Sequence, residues 1–315
     1  MIDQYGREIS YLRLSLTERC QLRCTYCRAE EGACPKAEEL SAEDFARIVR
    51  VMTRLGINKV RLTGGEPLLR KDILEIIARV GAVPGLKDLS MTTNAQMLPG
   101  KAAALKAAGL RRLNISLDSL KPDVFRKMTG GDLQLVLNGI DEALEVGLVP
   151  LKINVVVVAG MNDGEVDDFI ALTRERPLDV RFIELMPIGD QGRNAERRIS
   201  NQDLLRERLY LQMLPPRYPG QPSADYQVPG YLGRVGFISP ISHQFCADCN
   251  RIRVMSDGML RPCLGVDSQI SLKEALRGDD DGLLELIRQV IYAKPIGHAF
   301  QTCSSSARNM SRIGG

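Results

Sequence analysis

Between residues 10 and 187, short runs rich in β-formers alternate with longer helical runs. "ISYLRLSLT", "KVRLTGG", "LSMTTN", "RLNISLDS", "LKINVVVV" and "VRFIELMP" read as strands. "SAEDFARIVRVMTRLG", "KDILEIIARVG", "GKAAALKAAG", "LQLVLNGIDEALEVG" and "EVDDFIALTRER" read as helices between them. Ser41 with Asp44 three residues on marks a helix start, and Gly56, Gly109 and Gly147 mark stops, as capping chemistry requires. Strand and helix in regular succession imply a parallel sheet, either doubly wound or curled into a barrel. Polar residues recur at the strand ends, at Thr17, Thr63 to Glu66, Thr92 to Asn94 and Ser116 with Asp118, and Met186 follows the sixth strand. That favours a barrel, whose C-terminal strand ends hold the site. The expected fold class is α/β, a partial (β/α)6 TIM-like barrel.

After about residue 210 the rhythm stops. "LPPRYPGQPSADYQVPGYLG" is rich in Pro and Gly and reads as a linker, followed by irregular or antiparallel structure. "RIRVMSDGMLRPCL" places Asp-Gly between two short β-like runs, a hairpin signal. "LLELIRQVIYA" reads as a last helix before a polar tail ending in "MSRIGG". The expected division is a barrel over residues 1–213 and a C-terminal α+β extension over 214–315.

With 315 residues and 44% hydrophobic content the chain can bury a large core. Its 42 basic and 39 acidic residues are mixed along the chain and leave a net charge of +3, which argues against nucleic acid or a membrane surface as partner. A small anionic ligand fits that balance. No apolar run approaches the roughly 20 residues of a membrane span, and "MIDQYGREIS" does not read as a signal peptide, so the expected location is cytoplasmic. Eight cysteines in such a chain favour metal or redox chemistry over disulfides.

Six of those cysteines form two groups of three. Cys20, Cys24 and Cys27 follow the first strand with spacing C-x3-C-x2-C, and a four-iron cluster held by three thiolates would leave one iron open. A zinc knuckle completed by Cys34 is the alternative. Cys246, Cys249 and Cys263 are spaced C-x2-C-x13-C, and on spacing alone His243 would complete a Cys3His zinc site.

The first triad, with Tyr26 just before its last cysteine and Gly64-Gly65-Glu66-Pro67 after the next strand, resembles the radical S-adenosylmethionine (SAM) superfamily. In that family the open iron is chelated by SAM, whose cleavage yields a 5'-deoxyadenosyl radical. Glycines let backbone carbonyls approach an ammonium group closely, and Glu66 adds a complementary charge. From Arg13 to the final Gly-Gly, including "CNRIRV" and "LRPCL", the chain is similar to the GTP 3',8-cyclase family of molybdenum cofactor biosynthesis. That resemblance implies a second 4Fe-4S cluster on Cys246, Cys249 and Cys263 with its open iron facing guanine, and makes His243 and His298 loop or packing residues.

By the same resemblance Tyr26, Gly64, Gly65, Glu66, Ser116 and Met186 contact SAM. Arg13, Arg61, Thr92, Lys152, Asn250, Arg251, Ile252 and Arg253 contact GTP, the basic ones suiting a triphosphate. The tail bearing Arg312, Ile313, Gly314 and Gly315 enters the active site, where the last two glycines are the catalytic candidates. One departure is Ala95, where the family usually has Gly after "TTN", which puts that loop's geometry in doubt. The implied reaction converts GTP to (8S)-3',8-cyclo-7,8-dihydroguanosine 5'-triphosphate by abstraction of the ribose 3' hydrogen. The implied partners are a flavodoxin- or ferredoxin-type electron donor and cyclic pyranopterin monophosphate synthase, with a homodimer among the expectations. Two rivals stand beside this reading. One is a peptide-maturing radical SAM enzyme with an auxiliary cluster; the other is an idle barrel carrying a structural zinc module. Cys34 and Cys303 have no assigned role.

Overall fold

All six expected strands form, as β1 (Tyr11–Ser15), β2 (Lys59–Thr63), β3 (Asp88–Thr93), β4 (Arg112–Ser116), β5 (Leu151–Val157) and β6 (Leu178–Glu184), each parallel to the next. The structure is a computed structural model and describes residues 1–27, 38–188, 192, 194–298, 300 and 310. Between the strands run α1 (Ala42–Arg54), α2 (Ile73–Gly81), α3 (Ala102–Ala107), α4 (Pro122–Thr129), α5 (Leu133–Glu145) and α6 (Val166–Ala171). Ser41 and Asp44 close a capping box on α1, whose apolar face of Phe45, Ile48, Val49 and Met52 is buried. The helix expected through "LTRER" stops at Ala171, because the Thr173 hydroxyl donates to Ile170 O at 2.8 Å and the Thr173 carbonyl accepts from Gly233 N.

The C-terminal strands extend this sheet at both edges. They are β7 (Gln212–Met213), β8 (Ser223–Gln227), β9 (Arg234–Ile238), β10 (Arg251–Val254), β11 (Met259–Arg261) and β12 (Ile270–Ser271), and the order across the sheet is β12-β11-β10-β1-β2-β3-β4-β5-β6-β9-β8-β7. Strand β10 lies parallel to β1 and turns into β11 through Asp257-Gly258, the expected hairpin, with Gly258 at φ 83°. The boundary expected at 213/214 falls between β7 and β8, which pair with each other. Two further helices are α7 (Asn201–Arg206) and α8 (Asp280–Tyr292), and Arg47 of α1 grips the start of α8 through Asp280.

The register sorts the side chains. Residues paired directly across a sheet face the same side, and neighbours along a strand face opposite sides. Leu12, Leu14, Val60, Leu62, Leu89, Met91, Leu113, Ile115, Ile153 and Val180 all enter the main hydrophobic core. The alternating positions on the other face form polar rows. Arg253, Arg13, Arg61, Ser90 and Arg112 make one, Thr92, Asn114, Lys152 and Asp179 a second, and Ser116, Asn154 and Arg181 a third. A parallel sheet buried on both faces is ordinarily apolar throughout, so these rows mark a lumen built for a polar occupant.

The Pro-rich stretch read as a linker is docked rather than free. Arg217 makes a bidentate pair with Asp179 at 2.7 and 2.8 Å, and the Tyr218 ring lies 4.8 Å from Lys59 Nζ. Lys59 and Asp179 stand at the N-terminal ends of β2 and β6, so this segment closes the lumen opposite its mouth. Among the described residues no helix is long and apolar enough to cross a membrane.

Ala95 sits at φ 58°, the one described non-glycine residue with positive φ, so the loop keeps a glycine-like geometry despite the alanine. The left-handed conformation costs a non-glycine residue about 1–2 kcal/mol. Replacement by Gly relieves that but forfeits a buried methyl, about 0.8 kcal/mol, and adds about 0.5–1 kcal/mol of chain entropy. Ala95→Gly is therefore expected within about 1 kcal/mol of the parent, whereas Ala95→Val, β-branched and overpacked, should lose more than about 2 kcal/mol. Urea midpoints of the three proteins check the ordering.

Candidate active site

The first thiol loop leaves β1 and is pinned by the glycines after β2. Gly65 N donates to Thr17 O and Glu66 N to Arg19 O, both at 2.7 Å. A Cβ on Gly65 would meet Arg19 O at 2.2 Å, and one on Gly64 would meet Thr17 O at 2.5 Å. The glycines thus let two backbones touch, where close approach to an ammonium group was the sequence expectation. Glu66 also has a different task from the one expected. Its carboxylate is fully buried and accepts from Leu68 N, Thr93 Oγ1 and Asn94 N at 2.7–3.0 Å, tying the β2 and β3 loops together. Burial holds it above the usual carboxylate range, against those three donors.

Asn94, held in this way, donates to Cys20 Sγ at 3.6 Å and exchanges hydrogen bonds with Gln21. Farther along the loop, Arg23 N and Thr25 N donate to the last carbonyls of α4. Tyr26 OH donates to Asp118 Oδ2 at 2.7 Å, and Val156 N to Asp118 Oδ1, which fixes the Tyr26 ring beside the thiols. Burial lifts Asp118 to about 6, with both hydrogen bonds opposing. Neither Asn94 nor the Tyr26–Asp118 pair as a unit was legible as a site feature, although both belong to strand-end clusters.

The three thiols fit a cationic centre. Burial raises Cys24 well above its ordinary value, and Cys27, Asp118 and Cys20 raise it further. Crowded thiolates repel, and a bound cationic centre removes that penalty. In the second set, burial alone would raise Cys249, yet Arg251 and Lys294 bring it down to about 6, so a thiolate stands ready to ligate. Among the described residues, no three or more His, Cys, Asp or Glu side chains converge as a single ion requires. Thiolates on a four-iron cluster attach to different corners and need no common point. His243 is exposed and makes no approach of that kind, while His298 packs on Phe300 and contacts Pro240 O, as expected of a packing histidine. Cys34, Cys303 and the tail residues Arg312, Ile313, Gly314 and Gly315 lie outside the described residues.

Between the thiol sets lies the lumen. Burial and then Arg253 and Arg61 lower Arg13, burial and Arg251 bring Arg253 to about 10, and burial and Arg61 bring Arg181 to about 10. Lys152 falls to about 7 through burial and Arg181, with Asp179 opposing from 3.8 Å. Asp179 is itself already claimed by Arg217. Arg61 Nε, Tyr11 OH, Ser15 Oγ and Thr63 Oγ1 are buried without a hydrogen-bond partner among the described residues, as the walls of a polar ligand's site would be. Thr92 accepts from Asn114, and Arg181 is held by Asn154 and Asn114. Arg181 escaped the sequence reading, although its place in "VRFIELMP" alternates with apolar neighbours. Ile252 departs from expectation: its side chain is fully buried in the core on the face opposite Arg251 and Arg253, so that position offers only backbone to a ligand. Met186 packs in a small cluster with Ile188 and Met255, and Ser116 ends β4 half-buried at the mouth.

A β/α half-barrel whose first strand leads into three thiols, with a glycine-pinned loop beside them, defines a radical SAM protein. Residues 14–173 match the model of the Radical SAM superfamily and residues 178–300 that of Molybdenum Cofactor Synthesis C. Among solved structures, Streptococcus suis SuiB bound to precursor peptide SuiA shares the fold at TM-score 0.61 and 17% identity, over 98% of this chain and 72% of that one. Its SAM-bound form gives 0.59 and 18%, over 92% and 65%. Proteins named GTP 3',8-cyclase are 47% identical in Alkaliphilus oremlandii, over 100% of both chains, and 45% identical in Geobacter sulfurreducens, over 100% of this chain and 99% of the other. The chain belongs to the GTP 3',8-cyclase family of the radical SAM superfamily, and with it uses SAM and iron–sulfur clusters.

Because an added Cβ at residue 65 meets backbone, the loop carrying Cys20 has to move. Gly65→Ala is expected to hold about half the iron of the parent and to lose 5'-deoxyadenosine formation, with about four irons left on the second set. Iron analysis of anaerobically purified protein checks this; a full complement would mean the loop adapts.

Proposed function

We propose that the chain converts GTP to (8S)-3',8-cyclo-7,8-dihydroguanosine 5'-triphosphate, the first step of molybdenum cofactor biosynthesis, at the C-terminal mouth of the barrel. Relatives 42–47% identical along their whole length carry that enzyme's name. The observation that carries the reading is the lumen, where basic side chains share one sheet face in register and Arg61 Nε, Tyr11 OH, Ser15 Oγ and Thr63 Oγ1 are buried without a partner among the described residues. A triphosphate satisfies both demands.

In this reading Cys20, Cys24 and Cys27 hold one four-iron cluster and Cys246, Cys249 and Cys263 the other, each set one protein ligand short. When bound, the first cluster with SAM supplies the 5'-deoxyadenosyl radical that removes the ribose 3' hydrogen. Everything else falls on the chain. Tyr26, with its ring fixed through Asp118, contacts SAM together with Gly64, Gly65, Ser116 and Met186. Glu66 acts from within the fold by fixing the loops. Arg13, Arg61, Lys152, Arg181 and Arg253 bind the triphosphate and Thr92 the ribose side. Arg251 joins the basic residues, and Asn250 and the main chain of Ile252 lie near the base. Two anchors on one substrate hold C3' and C8 in register, and this is the orientation problem of an intramolecular closure. Gly314 and Gly315 complete the site. A flavodoxin- or ferredoxin-class protein delivers electrons, product passes to cyclic pyranopterin monophosphate synthase, the barrel ends at residue 213, and two copies form a homodimer.

Anaerobic protein with reductant, SAM and GTP should form 5'-deoxyadenosine in step with loss of GTP; SAM cleavage without GTP consumption would sink the assignment. Deleting Gly314 and Gly315 should abolish cyclisation while both clusters and SAM cleavage survive.

Lys152 supplies a pH dependence. In the free protein burial and Arg181, Arg112 and Arg61 depress it to about 7 against Asp179, so at about pH 8 it is mostly neutral. A bound triphosphate favours the ammonium form, so binding takes up a proton and affinity falls as pH rises above about 7. Stability of the free protein has the opposite slope. The unfolded chain binds more protons between about 7 and the ordinary lysine value, so the folded state gains as pH rises through that window. Calorimetric titration with GTP near pH 8, in buffers of differing ionisation heat, should show proton uptake in the parent and little in Lys152→Met.

A further inference from the structure

The segment ahead of β1 is bound to the far end of the chain. Asp3 and Arg7 are both buried, and Arg7 uses all three of its nitrogens. Its Nε donates to Asp3 Oδ2 at 2.7 Å. Nη1 donates to Cys246 O and Ile296 O at 2.9 and 2.8 Å, and Nη2 to Pro295 O at 2.7 Å and Lys294 O at 3.4 Å. Asp3 Oδ1 in turn accepts from Tyr5 N and Arg7 N, so the carboxylate that orients the guanidinium is itself fixed. Lys294, equally buried, donates from Nζ to Pro262 O, the carbonyl just before Cys263. Gly297 lies beside Cys246, within ordinary van der Waals reach of its side chain.

We propose that Arg7, oriented by Asp3, is the positioning residue of the second thiol set, so that the N-terminal segment is structurally part of that cluster's site. The inference rests on the assignment of Cys246, Cys249 and Cys263 as cluster ligands. Three stretches of chain carry or flank those cysteines: the loop before β10, the turn after β11 and the segment after α8. None of them is paired to another by a β-ladder at the cysteines themselves. One planar guanidinium gathers carbonyls from the first and the third, and Lys294 reaches the second. Arginine suits this task because its donors fan out in one rigid plane, which an ammonium group cannot reproduce. A guanidinium on the Cys246 carbonyl and an ammonium on the carbonyl before Cys263 are outer-sphere groups of the kind that orient metal ligands.

The test uses full-length protein with Cys20, Cys24 and Cys27 replaced by alanine, purified without oxygen, so that only the second set can hold iron. This parent should carry about four irons. Adding Arg7→Ala should lower the iron several-fold, and Arg7→Lys should retain an intermediate amount with a shifted reduction potential. In the otherwise intact enzyme Arg7→Ala should keep the first cluster's spectrum and potential and lose those of the second. An iron-free parent would overturn the assignment of the triad, and this inference with it. A loaded parent whose Arg7→Ala form keeps its full iron and its potential would overturn the inference alone. So would loss of both clusters from the otherwise intact enzyme together with a fall in Tm, since that pattern describes a residue needed for the fold as a whole.

Discussion

Arg253, Arg13 and Arg61 sit side by side on β10, β1 and β2, paired in register on the face opposite the main hydrophobic core. Strands run about 5 Å apart. At that separation two unit charges repel by roughly 3 kcal/mol in a medium of effective dielectric 20. Such a row is costly to fold and would be selected against in a sheet that had only to pack. The rest of the architecture reads as a means of tolerating it. The apolar alternate positions bury a continuous core under the helices, Asn114 and Asn154 hold Arg181, and Arg217 and Tyr218 close the far end of the lumen. A polyanion entering from the mouth would relieve the repulsion directly, so in the proposed function the cost of the free state returns as binding energy for the triphosphate.

The same strand periodicity explains how much of the molecule was legible in advance. "YLRLS" and "KVRLT" show every second residue apolar, and this is why β1, β2 and the inward place of Arg13 and Arg61 follow from the chain itself. Ser41 with Asp44, and Asp257 with Gly258, are local devices complete within four residues, and both formed as read. What escaped is non-local. Arg217 looked like part of a Pro-rich linker because its partner, Asp179, lies on a strand 38 residues away. Arg7, within the polar start "MIDQYGREIS", drew no reading of its own because the carbonyls it binds are more than 200 residues distant. Glu66 was read from its motif as a charge available to a ligand, and only the fold shows three donors from two loops enclosing it.

The glycines at 64 and 65 make a related point about motifs. A residue type can be required at a position for a reason other than the one its chemistry first suggests. Here the pressing constraint is contact between two backbones, since a Cβ at 65 would lie 2.2 Å from Arg19 O. That contact sets the start of the thiol loop, and Glu66, through Asn94, sets the surroundings of Cys20. The loop that meets the cofactor is thus positioned by residues that need not touch it, in the way that outer-sphere groups orient metal ligands.

The two thiol sets therefore depend on different lengths of chain. The first is secured by neighbours in the barrel: the β2 loop, the β3 loop and the end of α4, all complete by residue 131. The second needs β10, the turn after β11, the segment following α8 and the first seven residues together. Closing contacts over such sequence separations carries a larger entropic cost and comes late in assembly. A chain organised in this way can form the first thiol set early, while the second forms only once the N-terminal segment has met the stretch after α8. Under the proposed function, the thiol set assigned to SAM and the set assigned to substrate are then separable in folding although both border one lumen.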